Sequence, residues 1–158
     1  MSYARFLAMI ATSTIVMFGL MYLNTYALGH VHFSETRAFM ALYMGAVMAA
    51  IMLSFMMGMY GSAKANAAIY AGSAVVFAAA LFLVRSQATI GDVSYMRAMI
   101  PHHSIAILTS ERAGLADPRV RKLAQGIIEA QRLEIAEMKA LIADLEGGPA
   151  ATPEIDGN

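Results

Sequence analysis

Two short blocks of this sequence carry side chains that can bind soft metal ions. The first block contains Met96, Met99, His102 and His103. At about 100° per residue along a helix, Met96, Met99 and His103 fall within an arc of about 60°. His102 lies about 60° further round the same helix. One helix face therefore offers two thioethers and one imidazole, with the second imidazole at its edge.

The second block lies on an amphipathic segment between residues 118 and 145. Gln131 falls at the centre of its apolar face, Glu134 lies about 60° to one side, and Met138 is almost in line with Gln131. A glutamine or glutamate in an apolar seam costs free energy unless it is paired. We therefore expect the histidines of the first block, a bound ion or both to be the partners of Gln131 and Glu134.

Thioether and imidazole together form a soft to borderline ligand set. Such a set suits copper, with Cu(I) favoured, while imidazole and carboxylate also admit Cu(II) or zinc. The alternative is that no metal binds, because methionines on helix faces often only pack and paired histidines are often only hydrogen-bonded. The His30-x-His32 pair is a weaker signal for an accessory metal site.

The composition indicates a protein that is not fully water-soluble. Hydrophobic residues make up 59% and charged residues 14% of the chain, against about 45–50% and about 25% in soluble domains. The net charge is zero, which gives no support for nucleic-acid binding. The absence of cysteine excludes disulfides and thiolate metal sites.

Three uncharged apolar stretches, at residues 6–28, 38–60 and 67–84, are long enough to cross a bilayer as helices. Residues 1–86 are therefore predicted to form a three-helix membrane anchor. We expect the first stretch to be retained, since it is longer than the apolar region of a signal peptide. An odd number of spans places the turn with His30 and His32 on the same side as both blocks.

The rest of the chain predicts a helical hairpin. Asp92 is a good N-cap for a helix that reaches about residue 113, and Asp117-Pro118 begins a second helix. The short turn makes the two helices antiparallel, so the two blocks face each other. The predicted fold is all-α, with three transmembrane helices followed by an extramembrane hairpin at residues 87–146 and a disordered tail at 147–158.

The two blocks resemble a known bacterial family of small helical domains of unknown function. The resemblance lies in D-x-x-x-M-x-x-M-I-P-H-H-x-x-A-I from Asp92 to Ile107 and in L-A-x-x-I-I-x-x-Q-x-x-E-I-x-x-M from Leu123 to Met138. Members are described as ferritin-like bundles, mostly periplasmic or exported, and some are implicated in copper binding and resistance. The resemblance covers about residues 92–145. It implies metal ligands at Met96, Met99, His102, His103 and Met138, with Gln131 and Glu134 in support.

These observations predict a membrane-anchored protein that binds, hands over or confers tolerance to copper. We expect it in a bacterial inner membrane, with a cytoplasmic N-terminus, a periplasmic hairpin, and lipid and further protein copies or subunits as partners. The alternative is a structural or accessory subunit of a larger membrane complex without a metal role. We do not expect an enzyme, because a ferritin-like di-metal oxidase needs Glu-x-x-His pairs on facing helices. Met99 and Ile100 precede the histidines instead.

Overall fold

The computed structural model describes residues 2–148 and Pro153, and the regular secondary structure of these residues is entirely helical. Its α-helices are α1 (Tyr3–Leu20), α2 (Glu35–Met56), α3 (Ala63–Ser86), α4 (Asp92–Arg112) and α5 (Pro118–Leu145). Short 3₁₀ turns occupy Leu28–His30 and Met57–Met59. The all-α class predicted from the sequence is confirmed. Most of the predicted disordered tail lies outside the described residues.

The chain divides into two compact units. The three-helix unit comprises Met1–Met21 and Glu35–Thr89, and the helix-pair unit comprises Tyr22–Ser34 and Ile90–Asn158. The prediction had placed the boundary between the membrane anchor and the hairpin at residue 86. The structure adds the connection between α1 and α2 to the unit that holds both blocks of predicted metal ligands.

All three helices of the three-helix unit are long and apolar enough to cross a membrane. Helix α2 packs against both α1 and α3. Most of the buried residues of α2 are small, namely Ala41, Gly45, Ala46 and Ala49. At the α1–α2 contact, a Cβ atom added to Gly45 would overlap the Thr14 hydroxyl. Small residues let helix backbones approach closely, which is the packing mode expected in lipid.

Helix α1 ends at Leu20, well before the predicted end of the first span at residue 28. Arg37, which is buried at the start of α2, donates a hydrogen bond from Nη1 to the carbonyl oxygen of Met21 at 2.7 Å. A cation at the last carbonyls of a helix is favourable because it opposes the negative end of the helix dipole. The chain leaves the helix at this cap, so residues 22–34 are not part of α1. The apolar character of residues 22–28 did not indicate this helix end.

The helix-pair unit has a core of large aliphatic side chains. Ile100 and Ile107 of α4 lie seven residues apart, as do Ile128, Ile135 and Ile142 of α5. A seven-residue repeat keeps these side chains on the seam between two packed helices. Helix α5 begins where the sequence predicted, while α4 has Gly91 as its N-cap and Asp92 as its first helical residue.

The cap of α5 explains the position of its start. The Asp117 carboxylate accepts a hydrogen bond from the Arg119 backbone N–H at 2.8 Å, which satisfies one of the donors left free at a helix N-terminus. Its second oxygen accepts from Arg119 Nη2 at 2.8 Å. These hydrogen bonds to Arg119 lower the pKa of Asp117.

Candidate metal-binding groove

A groove of about 630 Å³ runs along one side of the helix pair. Of the seven residues predicted as principal metal ligands or supports, five line it, namely Met96, Met99, His103, Glu134 and Met138. The remaining lining residues are Asp92, Tyr95, Glu137, Leu141, Asp144 and Leu145. The structure therefore brings residues from both sequence blocks to one place.

The His103 ring is held at both nitrogens. Its Nδ1 lies 2.9 Å from the carbonyl oxygen of Met99, and its Nε2 lies 2.7 Å from Glu134 Oε2. A carbonyl oxygen only accepts hydrogen bonds, so Nδ1 carries the hydrogen in this contact. Nε2 then donates to Glu134 when it is protonated, and offers a lone pair to a metal ion when it is not.

The three groove methionines differ in burial. Met96 is buried in the core cluster, whereas Met99 and Met138 are partly exposed. Met138 also packs against the core. The groove lining thus combines three thioethers with one imidazole, and these are the donors expected for a soft ion.

Apart from His103 and Tyr95, the groove is lined by acidic and apolar residues. Asp92, Glu134, Glu137 and Asp144 contribute carboxyl groups, and none of the lining residues is lysine or arginine. A cleft lined by one sign of charge concentrates the opposite ion. Within residues 2–148 and Pro153, no group of three or more histidines and carboxylates could hold a metal. A metal in this groove would therefore depend on methionine sulfur.

Two predicted residues, His102 and Gln131, lie outside the groove lining. His102 is exposed, and its ring centroid is 6.1 Å from that of His103. Gln131 donates from Nε2 to Glu134 Oε2 at 3.3 Å. Gln131 is only partly buried, which corrects the prediction that it lies at the centre of the apolar face. Ile128 and Ile135 occupy that centre instead.

The structure places His30 in a separate buried network. Its Nδ1 lies 2.9 Å from the Ser104 hydroxyl oxygen, which also accepts a hydrogen bond from the Tyr26 backbone N–H at 2.7 Å. These contacts attach the connection between α1 and α2 to helix α4. Nothing in the sequence pattern singled out Ser104, because one serine in a helix is too common to indicate a buried contact.

His32 does not line the groove either. Burial lowers its pKa, and the nearby positive charges of Arg97 and Lys139 lower it further. Its Nε2 atom is buried and has no hydrogen-bond partner among the described residues. An imidazole in this environment is favoured in its neutral form.

Comparison with known proteins identifies part of the chain. Residues 87–155 match the family described as Domain of unknown function (DUF305), which confirms the resemblance to a domain of unknown function. An uncharacterized protein of Acanthamoeba polyphaga mimivirus is 42% identical over 64 residues. That match covers 39% of this chain and 42% of the relative, so the similarity spans less than half of either protein. No solved structure matches the chain significantly.

Proposed function

We propose that this chain is a membrane-anchored copper-binding protein that holds, hands over or confers tolerance to Cu(I) without catalytic turnover. The observation that carries the proposal is the meeting of three methionines and one oriented histidine in a single acidic groove. The chain contains no cysteine, so thioether sulfur is its available soft ligand.

The ligand set consists of Met96, Met99, Met138 and His103. A metal-binding histidine usually donates its other ring N–H to a carbonyl or carboxylate, which fixes the ring and its tautomer. The contact between His103 Nδ1 and the Met99 carbonyl oxygen has this form. Glu134 lies 2.7 Å from the other ring nitrogen and supports the site either as a hydrogen-bond partner of the metal-free histidine or as a carboxylate ligand of the ion.

The proposed location is a bacterial inner membrane, with the N-terminus in the cytoplasm and the groove in the periplasm. Three helices that could span a membrane support the membrane anchor. With three spans, the residues before α1 and those after α3 face opposite sides. In this proposal α4 and α5 form an antiparallel hairpin outside the membrane, where the groove is open to metal exchange.

The test is an anaerobic Cu(I) titration of the purified full chain in detergent, in competition with a chromogenic Cu(I) chelator. The double variant Met99→Ala, His103→Ala should bind Cu(I) at least about 10–100-fold more weakly than the native chain, since it loses two ligands. Met57→Leu is the matched control, because Met57 is an exposed methionine of the three-helix unit.

Equal Cu(I) affinity in the native chain and the double variant would overturn the copper function. Elemental analysis of protein isolated from its native membrane gives an independent measurement. A preparation without copper or zinc that co-purifies with a large membrane complex would instead support the role of accessory subunit.

A further inference from the structure

Helix α5 carries two apolar stripes on different sides. The first stripe packs against α4 and contains the buried isoleucines of the core. The second stripe has two apolar segments that lie on one side of the helix, and both remain exposed. They are Val120, Leu123 and Ile127 in the first half of α5 and Leu141 and Leu145 at its end, with exposed fractions between 36% and 65%. Gln131, Glu134 and Met138 lie between the two segments on the same side.

Helix α4 presents a matching stripe on the same side of the unit. Tyr95, Met99, His102 and Ala106 follow each other at four- and three-residue spacing. Tyr95 and His102 are exposed, and Tyr95 and Met99 line the metal-binding groove together with Leu141 and Leu145 of the second α5 stripe. The α4 stripe and the second α5 stripe thus flank the groove. We call these two stripes together the groove face.

We propose that the groove face binds the groove face of a second copy of this chain, so that two helix pairs form a four-helix bundle around the metal-binding side chains. The inference rests on the proposed metal function and adds to it the element that closes the groove. A single helix pair has a small core, and apolar stripes exposed along a helix are typical of an interaction surface.

The distribution of charge along α5 favours a second copy of the chain as the partner, in an antiparallel orientation. Within α5, residues 119–128 carry three basic and no acidic side chains, whereas residues 129–145 carry four acidic and two basic side chains. Two α5 helices that pack antiparallel bring the basic part of each copy to the acidic part of the other. Parallel packing would bring like charges together, which is unfavourable.

The register follows from the ends of the second α5 stripe. The stripe begins at Val120 and ends at Leu145. If the two stripes overlap along their full length, the symmetry axis of an antiparallel pair passes through their midpoint, between Ala130 and Glu134. Ile127 of one copy then lies opposite Met138 of the other and covers the groove with apolar surface. Gln131 lies outside the groove of a single chain, but in the pair it lies close to the symmetry axis.

Cysteine cross-linking tests the pairing directly, because the chain has no native cysteine. The variants are Ala130→Cys, beside the axis, and Glu129→Cys, which is also exposed but lies about 100° away round the helix. With a short bismaleimide and the full chain in detergent, Ala130→Cys should give about ten times more covalent dimer, since pairing raises the local concentration of the thiols.

A second pair of variants shows whether the stripe itself makes the contact. In the Ala130→Cys background, Leu123→Glu should abolish the cross-link. Leu133→Glu should leave it intact, because Leu133 is an exposed leucine of α5 outside the stripe. Equal cross-linking of Ala130→Cys and Glu129→Cys, or survival of the cross-link in Leu123→Glu, overturns the pairing.

A membrane surface is the competing occupant of the stripe. The chain has no tryptophan, so Leu123→Trp introduces a single fluorophore. In vesicles of brominated phosphatidylcholine, fluorescence comparable to that in unbrominated vesicles supports the pairing. Strong quenching together with the absence of the Ala130→Cys dimer assigns the stripe to lipid and overturns it.

The copper titration separates failure of the pairing from failure of the metal function. If the dimer forms but the double variant Met99→Ala, His103→Ala binds Cu(I) like the native chain, only the metal function fails. If copper binds as proposed and no dimer forms, only the pairing fails. If the pairing and the metal function are both correct, Leu123→Glu should weaken Cu(I) binding by about tenfold, because loss of the second copy opens the groove to water.

Discussion

The two units of this protein differ in what they expose and in how their helices meet. The three-helix unit buries Phe6, Leu53 and Tyr60 as well as small residues of α2, and it exposes other large apolar side chains, among them Ile15, Phe55 and Phe82. The helix-pair unit buries isoleucines and exposes most of its charges. In water, burial of large apolar surface stabilises helix packing. In lipid this driving force is absent, so close backbone contact between small residues takes its place.

The comparison predicts the largest loss of stability where a large side chain is removed from the helix-pair core. Ile135→Ala should lower the free energy of unfolding of that unit by about 2–5 kcal/mol, because it leaves a cavity at a position that is 2% exposed. Hydrogen exchange of the α5 amides in the full chain measures the change.

Leu133→Ala is the control for this prediction. Leu133 lies two residues away on the same helix and is 55% exposed, so the change should stay within about 0.5 kcal/mol. Similar losses in both variants would show that the isoleucine seam does not hold the helix pair together.

In the three-helix unit the damaging change should be the reverse, from small to large. Gly45→Leu should destabilise the α1–α2 contact by about 1–3 kcal/mol, since its side chain would collide with Thr14. Unfolding in detergent micelles, followed by circular dichroism, measures the effect. Gly72→Leu serves as the control, because no atom lies within 4 Å of an added Cβ there. A harmless Gly45→Leu would contradict close small-residue packing.

The attachment of residues 22–34 to the helix pair should depend on one hydroxyl group. Ser104→Ala removes the partner of the Tyr26 N–H and of His30 Nδ1 and should destabilise this segment by about 1–3 kcal/mol. Protection of the amides of residues 22–34 from hydrogen exchange reports the loss. Thr109→Ala should not change it, because the Thr109 hydroxyl bonds only carbonyls of its own helix.

The smallest expected effect is a pH dependence of the same segment. The folded state lowers the pKa of His32 below 6.5, so the folded chain binds fewer protons near that pH than the unfolded chain. The stabilisation is complete above pH 6.5 and declines as the pH falls through the lowered pKa. Protection factors of residues 22–34 should decrease with falling pH, and less so in His32→Gln. An identical pH profile in both proteins would contradict the prediction.

The two blocks of predicted metal ligands show how far the sequence alone leads. Helical spacing predicted that Met96, Met99 and His103 share one face of α4 and that Met138 faces them from α5, and all four line the groove. The same reasoning placed His103 on the ligand face and His102 at its edge, and in the structure His103 lines the groove while His102 is exposed outside it. How deeply each side chain is buried depends on packing between α4 and α5, which spacing within one helix does not determine.

The residues around the groove show the same limit. Asp92 and Tyr95 line the groove with Met99, and their three- and four-residue spacing could have indicated this. Glu134 was predicted to pair with a histidine, and the structure places it 2.7 Å from His103 Nε2. Gln131 was placed too deep, because the apolar face was read as one broad surface, whereas α5 carries two stripes of which only one is buried.

The sequence by itself determined the helical class, the start of α5, the division into an apolar and a charged half, and the side chains available for metal binding. These features depend on residue type and on spacing within one helix, which is local information. The tertiary structure decided where α1 ends and that residues 22–34 join the helix pair. Each of these depends on contacts between residues far apart in the chain, such as Arg37 with Met21 and Ser104 with His30. These contacts contribute to stability only once the helices have packed together. Periodicity within a single helix therefore cannot predict them.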